Sequence, residues 1–516
     1  MKMKHDAIVI GSGVGGGTVA RRLSENGVRV LLIERGDFVP REDGNWSVET
    51  VFFDKKYSAK ESWLDRNNDS FDPGAYANVG GSTKFYGAAM FRLRERDFEE
   101  LQHREGMSPA WPIHYKDLEP YYDEVENWFG VHGDDRDDPT APNGRRTYPF
   151  PAVPCEPIIA RMATRLREQG LHPSALPLAI DSSRTGTCIL CKTCDGFPCK
   201  VAAKNDAETC LVEPALATGL VELWTNAFVQ RLLLSPDGKR VEGVEVEHAG
   251  LMKTMTAPIV VVSCSAVNSA ALLLRSATTA TPNGVANTSG VVGRHYMTHN
   301  QTALMALSME VNNTVFQKTL ALNDFYFGEK DFPFPMGQAQ MLGKLQGGML
   351  SAKLPYLPRF VGSTLARHSV DWLVMSEDLP DPENRVSIEN GRVKLSKRAN
   401  NTETHKRLVV KMQSALKRTG YPIVILKSLS AHATAHQCGT VRFGSDPRTA
   451  ALDPYCRSFD HSNLFVIDAS FFPSSAAVNP ALTIAAQALR ATDHILREDF
   501  GLKSKSDAAV ANARLL

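Results

Sequence analysis

The run DAIVI at 6–10 is apolar after its first residue and predicts a strand buried on both faces. Glycines follow, GSGVGGG at 11–17, and the chain then turns helical until Gly27 stops it. VRVLLIE at 28–34 predicts a second buried strand that ends on Glu34. The same arrangement returns late in the chain. SNLFVIDAS at 462–470 predicts a turn and a buried strand stopping at Asp468, and TIAAQALRATDHIL at 483–496 predicts an apolar helix with Pro480 just ahead of it. Between these ends, 221–248 alternates as strands do, and QTALMALSMEV at 301–311 is a further strand-like run.

The first of these patterns has a chemical meaning. Gly11, Gly13 and Gly16 satisfy G-x-G-x-x-G between a strand and a helix, and Glu34 closes the second strand 23 positions after Gly11. The glycines permit a tight turn, close backbone approach to a pyrophosphate and close helix–strand packing. The helix start adds unpaired N–H groups and a positive dipole. An acid at the end of the second strand suits a ribose diol and repels a 2′-phosphate, so the segment predicts dinucleotide binding and disfavours NADP. FAD and NAD are not separated by this segment.

Composition changes little. The 516 residues are too many for one ordinary core, and 43% hydrophobic with 22% charged residues is typical of a globular protein. A net charge of +1 gives no footprint for nucleic acid or an anionic membrane. No run approaches the ~18 apolar residues of a membrane span, and no leader pattern precedes the first strand. The expectation is a soluble, cytoplasmic protein.

Two further segments carry candidate chemistry. NVGGSTKFYGAAMFR at 78–92 groups Gly80, Gly81 and Gly87 with small polar residues. It is either a surface loop or backbone laid against a flat ring. The charged RLRERDFEE beside it reads as a solvent-facing helix. Near the C-terminus, His432 and His436 stand four apart in AHATAHQCGT. A metal pair would want a helix and a third ligand, and Gly439-Thr440 argues against a sustained helix, so no metal site is expected there. Asn479 lies beside the start of the late helix.

Taken together these segments resemble the glucose–methanol–choline (GMC) family of FAD-dependent alcohol oxidoreductases. The resemblance rests on GSGVGGG with Glu34, GGSTKFYG, VVSCSAVNSAALLL at 261–274, VVGRHYMTH at 291–299, AHQCGT at 435–440 and VIDASFFPSSAAVNPALTIAAQA at 466–488, in the family's order. It implies an α/β fold in which a Rossmann-like FAD-binding domain is interleaved with an antiparallel-sheet substrate domain. It places His436 and Asn479 together as the catalytic pair of a His–Asn variant. His436 would act as general base while hydride passes to flavin N5, and His432 would be only a structural neighbour. It assigns FAD contacts to Gly11, Gly13, Gly16, Glu34, Gly80, Gly81, Ser82, Val229, Asp468, Ala469, Asn479 and Pro480.

The chain departs from that pattern in places. Tyr86 stands where many members have asparagine, as in bacterial relatives that include aminoglycoside-pathway alcohol oxidases. Lys84 stands where some sugar oxidases attach FAD through histidine, so FAD is expected to be noncovalent. The family's usual small-Gly step reads Cys264-Ser265, which bears on packing around the adenine half. Five of nine cysteines fall at 188, 191, 194, 199 and 210. Some similar bacterial sugar dehydrogenases hold an iron–sulfur cluster on such a loop, which makes Cys188, Cys191, Cys194 and Cys199 candidates. Packed thiols or local disulfides are the preferred readings.

The implied organisation gives 1–110, 186–300 and 428–516 to the FAD domain, and 111–185 and 301–427 to the substrate domain. The tail KSKSDAAVANARLL is expected to fray. The expected substrate is a sugar, glycoside, aminosugar or polyol, with oxygen or an electron-acceptor protein as the second partner. A flavin-dependent lyase or isomerase on the same scaffold is the alternative, and a non-catalytic nucleotide-binding protein is the remaining class.

Overall fold

The computed structural model describes residues 4–183, 185–353, 356, 358–429 and 435–503. His432 and the expected frayed tail after Lys503 lie outside the described residues. Four strands pair in parallel around the first one. Ala7–Ile10 takes Val30–Ile33 on one side and Ile259–Val262 on the other, and Val221–Trp224 and Leu464–Val466 complete the five-stranded sheet. The first four strand residues and their partners are almost fully buried, as an unbroken apolar run requires. Helices Val14–Glu25 and Ala481–Glu498 pack against each other, so the two ends of the chain share one core. Helix Tyr115–Trp128, from a segment the sequence reading gives to the other domain, packs on Ala481–Glu498 in this same core.

A second core forms under a six-stranded antiparallel sheet. Its order is Ile423–Ser428, Asn300–Leu307, Ser369–Ser376, Gln338–Met341, Leu320–Leu322 and Pro173–Ala175. Helix Thr402–Arg418 closes one face of it. Register matters here. Asn300 pairs with Ser376 and Thr302 with Ser428, so one edge of the sheet gathers the chain just before Asn300, just after Ser376 and just after Ser428. An isolated antiparallel bridge between Met297 and Cys438 ties the first of these to the third.

The charged run 92–100 is not a solvent-facing helix. It is a short 3-10 turn, Glu95–Phe98, preceded by two buried arginines. Arg92 lies between Glu126 (2.8 and 2.7 Å) and Asp123 (2.7 Å), and Arg94 pairs with Asp138 at 2.9 Å. Long-range carboxylates make burial of those charges tolerable, and no local pattern announces them. Among the described residues no helix is long and apolar enough to cross a membrane.

Candidate active site

The glycine turn after the first strand is as tight as its sequence implies. A Cβ on Gly16 would lie 1.9 Å from the Gly11 carbonyl oxygen, and one on Gly11, at φ +100°, would lie 2.2 Å from Ser263 O. Gly13 is different: a Cβ there would meet nothing closer than Gly81 Cα at 4.0 Å. The second glycine segment therefore lies across the first, with a Gly81 Cβ position only 3.0 Å from Gly13 Cα. The helix Val14–Glu25 has no side chain capping its start, which leaves its leading N–H groups available to an anion.

Glu34 braces this arrangement. Its Oε2 accepts from Ser12 N (3.0 Å) and Ser12 Oγ (2.7 Å), and its Oε1 accepts from Gly36 N at 3.1 Å. Ser12 Oγ in turn accepts from Gly80 N at 3.2 Å, so one serine joins both glycine segments to the acid. A carboxylate offers about four lone-pair positions, so Oε1 keeps capacity for a ribose hydroxyl. Val229 is buried in strand Ala227–Leu234, which reaches Glu34 through the bond from Ala227 N to Glu34 O (2.9 Å). Arg35 and Arg275 lie over the neighbouring Phe228 ring. Ser82 is exposed in the 3-10 turn Gly81–Lys84.

Asp468 caps the turn Ala469–Phe471 and accepts from Ser269 Oγ (2.5 Å) and from Ser470 N and Oγ (2.8 and 2.5 Å). Burial pushes its carboxyl up despite those bonds. The following backbone runs beside the histidine segment, with Gly439 N donating to Ala469 O at 3.1 Å. Pro480 caps the start of helix Ala481–Glu498.

That pairing brings His436 to Asn479. His436 Nε2 is 3.3 Å from Asn479 Nδ2, and the Asn479 Oδ1 atom is buried with no hydrogen-bond partner among the described residues. His436 Nδ1 lies 3.1 Å from His299 Nδ1 and 3.2 Å from Gln301 Nε2. His436, His299 and Ala476 all have left-handed backbones, at φ 60°, 72° and 53°. Non-glycine residues enter that region at a cost and stay only where their surroundings hold them.

Burial, with the fields of His299 and Lys318, takes the His436 imidazole down to about 3, so it is neutral at any ordinary pH. Lys318 is buried and paired with Asp195 at 2.5 Å. A Cβ on Gly87 would strike both partners, so this pair abuts the second glycine segment. Asp195 belongs to the cysteine-rich loop, which Lys204 anchors by donating to the carbonyls of Tyr86, Cys194 and Phe197 at 2.9, 3.1 and 2.7 Å. All four candidate cluster cysteines are free thiols, and among the described residues no group of three or more His, Cys, Asp or Glu side chains is arranged to hold a metal ion.

Lys84 is buried between Asp206 (3.0 Å) and Glu208 (2.7 Å). Burial opposes its charge, but the two carboxylates hold the ammonium above its ordinary range. Sequence reasoning missed Ser12, His299, Gln301, Lys318 and Asp195. The VVGRHYMTH segment contains His299, but nothing local assigns it to His436.

Buried neutral histidines make the protein acid-sensitive. Burial, with Arg442 and Arg294 adding to it at His295, lowers His295 and His405 to about 4, and His436 lies lower still. The unfolded chain takes up those protons below about pH 6.5 and the folded chain does not. Stability is therefore intact above that pH and falls by about 1.4 kcal/mol per group per pH unit towards pH 4. The melting temperature is expected to drop by several degrees between pH 7.5 and 5.5, and less in His405→Gln. A flat profile contradicts the neutral assignments.

Comparison with known proteins gives one family. Residues 6–301 match the N-terminal and 379–488 the C-terminal model of GMC oxidoreductase. The 6'''-hydroxyparomomycin C oxidase of Streptomyces lividus and the paromamine 6'-oxidase of Streptomyces fradiae are each 30% identical, over 94% of this chain and 90% of theirs. The fructose dehydrogenase large subunit of Gluconobacter japonicus is 24% identical over 96% of this chain and 98% of its own. Among solved structures, pyridoxine 4-oxidase from Mesorbium loti has a TM-score of 0.66 at 18% identity, covering 95% of this chain and 99% of the other.

Proposed function

The chain belongs to the GMC oxidoreductase family, and on that footing we propose that it oxidises a CH–OH group to a carbonyl, with noncovalent FAD, on a sugar, glycoside, aminosugar or polyol. The observation that carries this reading is the meeting of His436 and Asn479 at 3.3 Å, with a neutral imidazole and an unpartnered amide oxygen. The cradle fits the cofactor: Gly13 and Gly81 leave side-chain-free backbone where a pyrophosphate would lie, and Glu34 keeps a lone pair for the ribose. Gly80, Ser82, Val229, Asp468, Ala469 and Pro480 would complete the cofactor's surroundings. FAD supplies the hydride acceptor when bound.

The chain's own residues handle the proton and the orientation. His436 Nε2 accepts the hydroxyl proton, and as a neutral base it needs no prior deprotonation. Asn479 holds the alcohol oxygen without competing for that proton. The start of helix Ala481–Glu498, directly after Pro480, places positive dipole where negative charge accumulates. Lys84 is committed to two carboxylates, which favours a cofactor held without a covalent link. The two relatives at 30% identity are named as oxidases of paromomycin-type and paromamine substrates, which supports an aminosugar or glycoside.

The test is a panel of sugars, aminosugars, glycosides and simple polyols mixed anaerobically with the holoprotein. Loss of the flavin band near 450 nm with at least one aminosugar or polyol is expected. Admitting air then separates an oxidase, which recovers its colour, from a dehydrogenase, which needs an artificial acceptor. Acid precipitation is expected to leave the yellow colour in the supernatant. No bleaching across the panel moves the weight to a lyase or isomerase on the same scaffold.

A further inference from the structure

We propose that His299 is a positioning residue that fixes the proton of His436 on Nδ1, and so keeps the lone pair of His436 on Nε2 beside Asn479. The inference rests on the reading of His436 as the base. His299 Nε2 lies 3.0 Å from the carbonyl oxygen of Ser475. A carbonyl only accepts, so His299 carries its proton on Nε2, and in a neutral ring its Nδ1 has the lone pair. His436 Nδ1 is 3.1 Å from that lone pair. Two bare nitrogens at this distance repel, so His436 Nδ1 holds a proton and donates it.

The contact with Asn479 follows from that assignment. His436 Nε2 is left as the acceptor, and Asn479 faces it with its nitrogen at 3.3 Å, which is the orientation that leaves Oδ1 unpaired. Gln301 Nε2 lies 3.2 Å from the same His436 Nδ1 and 3.5 Å from the Thr298 carbonyl oxygen, so it is a donor that favours the other tautomer of His436 once His299 is removed. When substrate is oxidised, the O–H bond breaks and an N–H bond forms at His436 Nε2. The electron pair of that O–H becomes the second bond of the carbonyl as hydride leaves carbon for the bound flavin. The resulting imidazolium keeps its Nδ1–H on His299.

A buried carboxylate locks both ends of this chain of bonds. Asp378 accepts from the backbone N–H of Thr298 (3.0 and 2.9 Å) and of His299 (2.9 Å), pairs with Lys397 at 3.0 Å, and accepts from Ser475 Oγ at 3.3 Å. It therefore grips both the residue that donates and the residue whose carbonyl receives. This grip also accounts for how His299 is kept at φ 72°. Burial keeps the His299 ring neutral, so its tautomer is the quantity that matters.

The deciding experiment is long-range proton–nitrogen correlation NMR on the [15N]histidine-labelled holoenzyme, with His436 assigned by its loss in His436→Ala. The expected wild-type pattern is a protonated Nδ1 and a bare Nε2 for His436. In His299→Phe the proton is expected to move to Nε2, and in His299→Gln, whose amide both donates and accepts, to remain on Nδ1. With any alcohol that bleaches the flavin, His299→Phe is expected to slow reduction by about 10- to 100-fold. In a His436→Ala background it is expected to add no further loss, because it acts through His436. A bare Nδ1 in the wild type, an unmoved proton in His299→Phe, or equal losses in both backgrounds overturns the inference. If His436→Ala itself retains turnover while the NMR pattern is as expected, the base assignment fails and the tautomer assignment stands.

Discussion

Replacing His436 with Ala is expected to lower turnover by roughly two to four decades while the protein stays yellow, the range lost when a positioned general base is removed. The geometry predicts both halves of that result. His436 touches His299, Gln301 and Asn479, and none of these holds the glycine turns together. The cradle is braced separately, by Glu34, Ser12 and the crossing of Gly13 with Gly81. Steady-state turnover beside the flavin-to-protein absorbance ratio measures the two effects independently. Near-full turnover in the variant removes His436 from the reaction. A colourless variant instead makes the histidine part of the cofactor's support.

Asn479→Ala is expected to slow flavin reduction by about two decades in anaerobic stopped-flow and to weaken FAD binding far less, as loss of one preorganised polar group in a water-poor site does. The buried Oδ1 without a partner is the reason to expect so large an effect. An orphaned polar atom costs about 1–3 kcal/mol in the ligand-free fold, and such a cost is retained where a ligand's hydroxyl satisfies it. Comparing the limiting reduction rate with the apparent substrate affinity checks this. A variant that loses affinity alone and keeps its limiting rate assigns Asn479 to binding and not to the reacting geometry.

How much of this was legible in the sequence depended on the range of the interactions. The glycine turn was legible because most of its requirements are local: a Cβ on Gly16 would collide with the Gly11 carbonyl one turn back, Gly11 has a left-handed φ, and the strand, turn, helix and strand follow in register. The collision of a Gly11 Cβ with distant Ser263 was not legible. Glu34 was legible in position but not in its bracing by Ser12 and Gly36. His436 and Asn479 came from the order of motifs and not from periodicity, since 43 residues separate them and no local rule joins them. His299 lies 137 residues from His436 and meets it only because the Met297–Cys438 bridge and the register of Asn300 with Ser376 converge there. Arg92 and Arg94 were misread because a charged run looks solvated unless its distant carboxylates are known. The Lys318–Asp195 pair, joining the sheet of the second core to the cysteine-rich loop, was invisible for the same reason.

The most direct measurement is a crystal structure of the holoprotein with oxidised FAD and a non-reacting alcohol analogue. The expected result places the analogue's hydroxyl within about 3 Å of both His436 Nε2 and an amide atom of Asn479, with its carbinol carbon over the reactive face of the ring. A complex in which either side chain stands beyond reach of that hydroxyl, or in which the dinucleotide lies away from Gly13 and Gly81, contradicts the account.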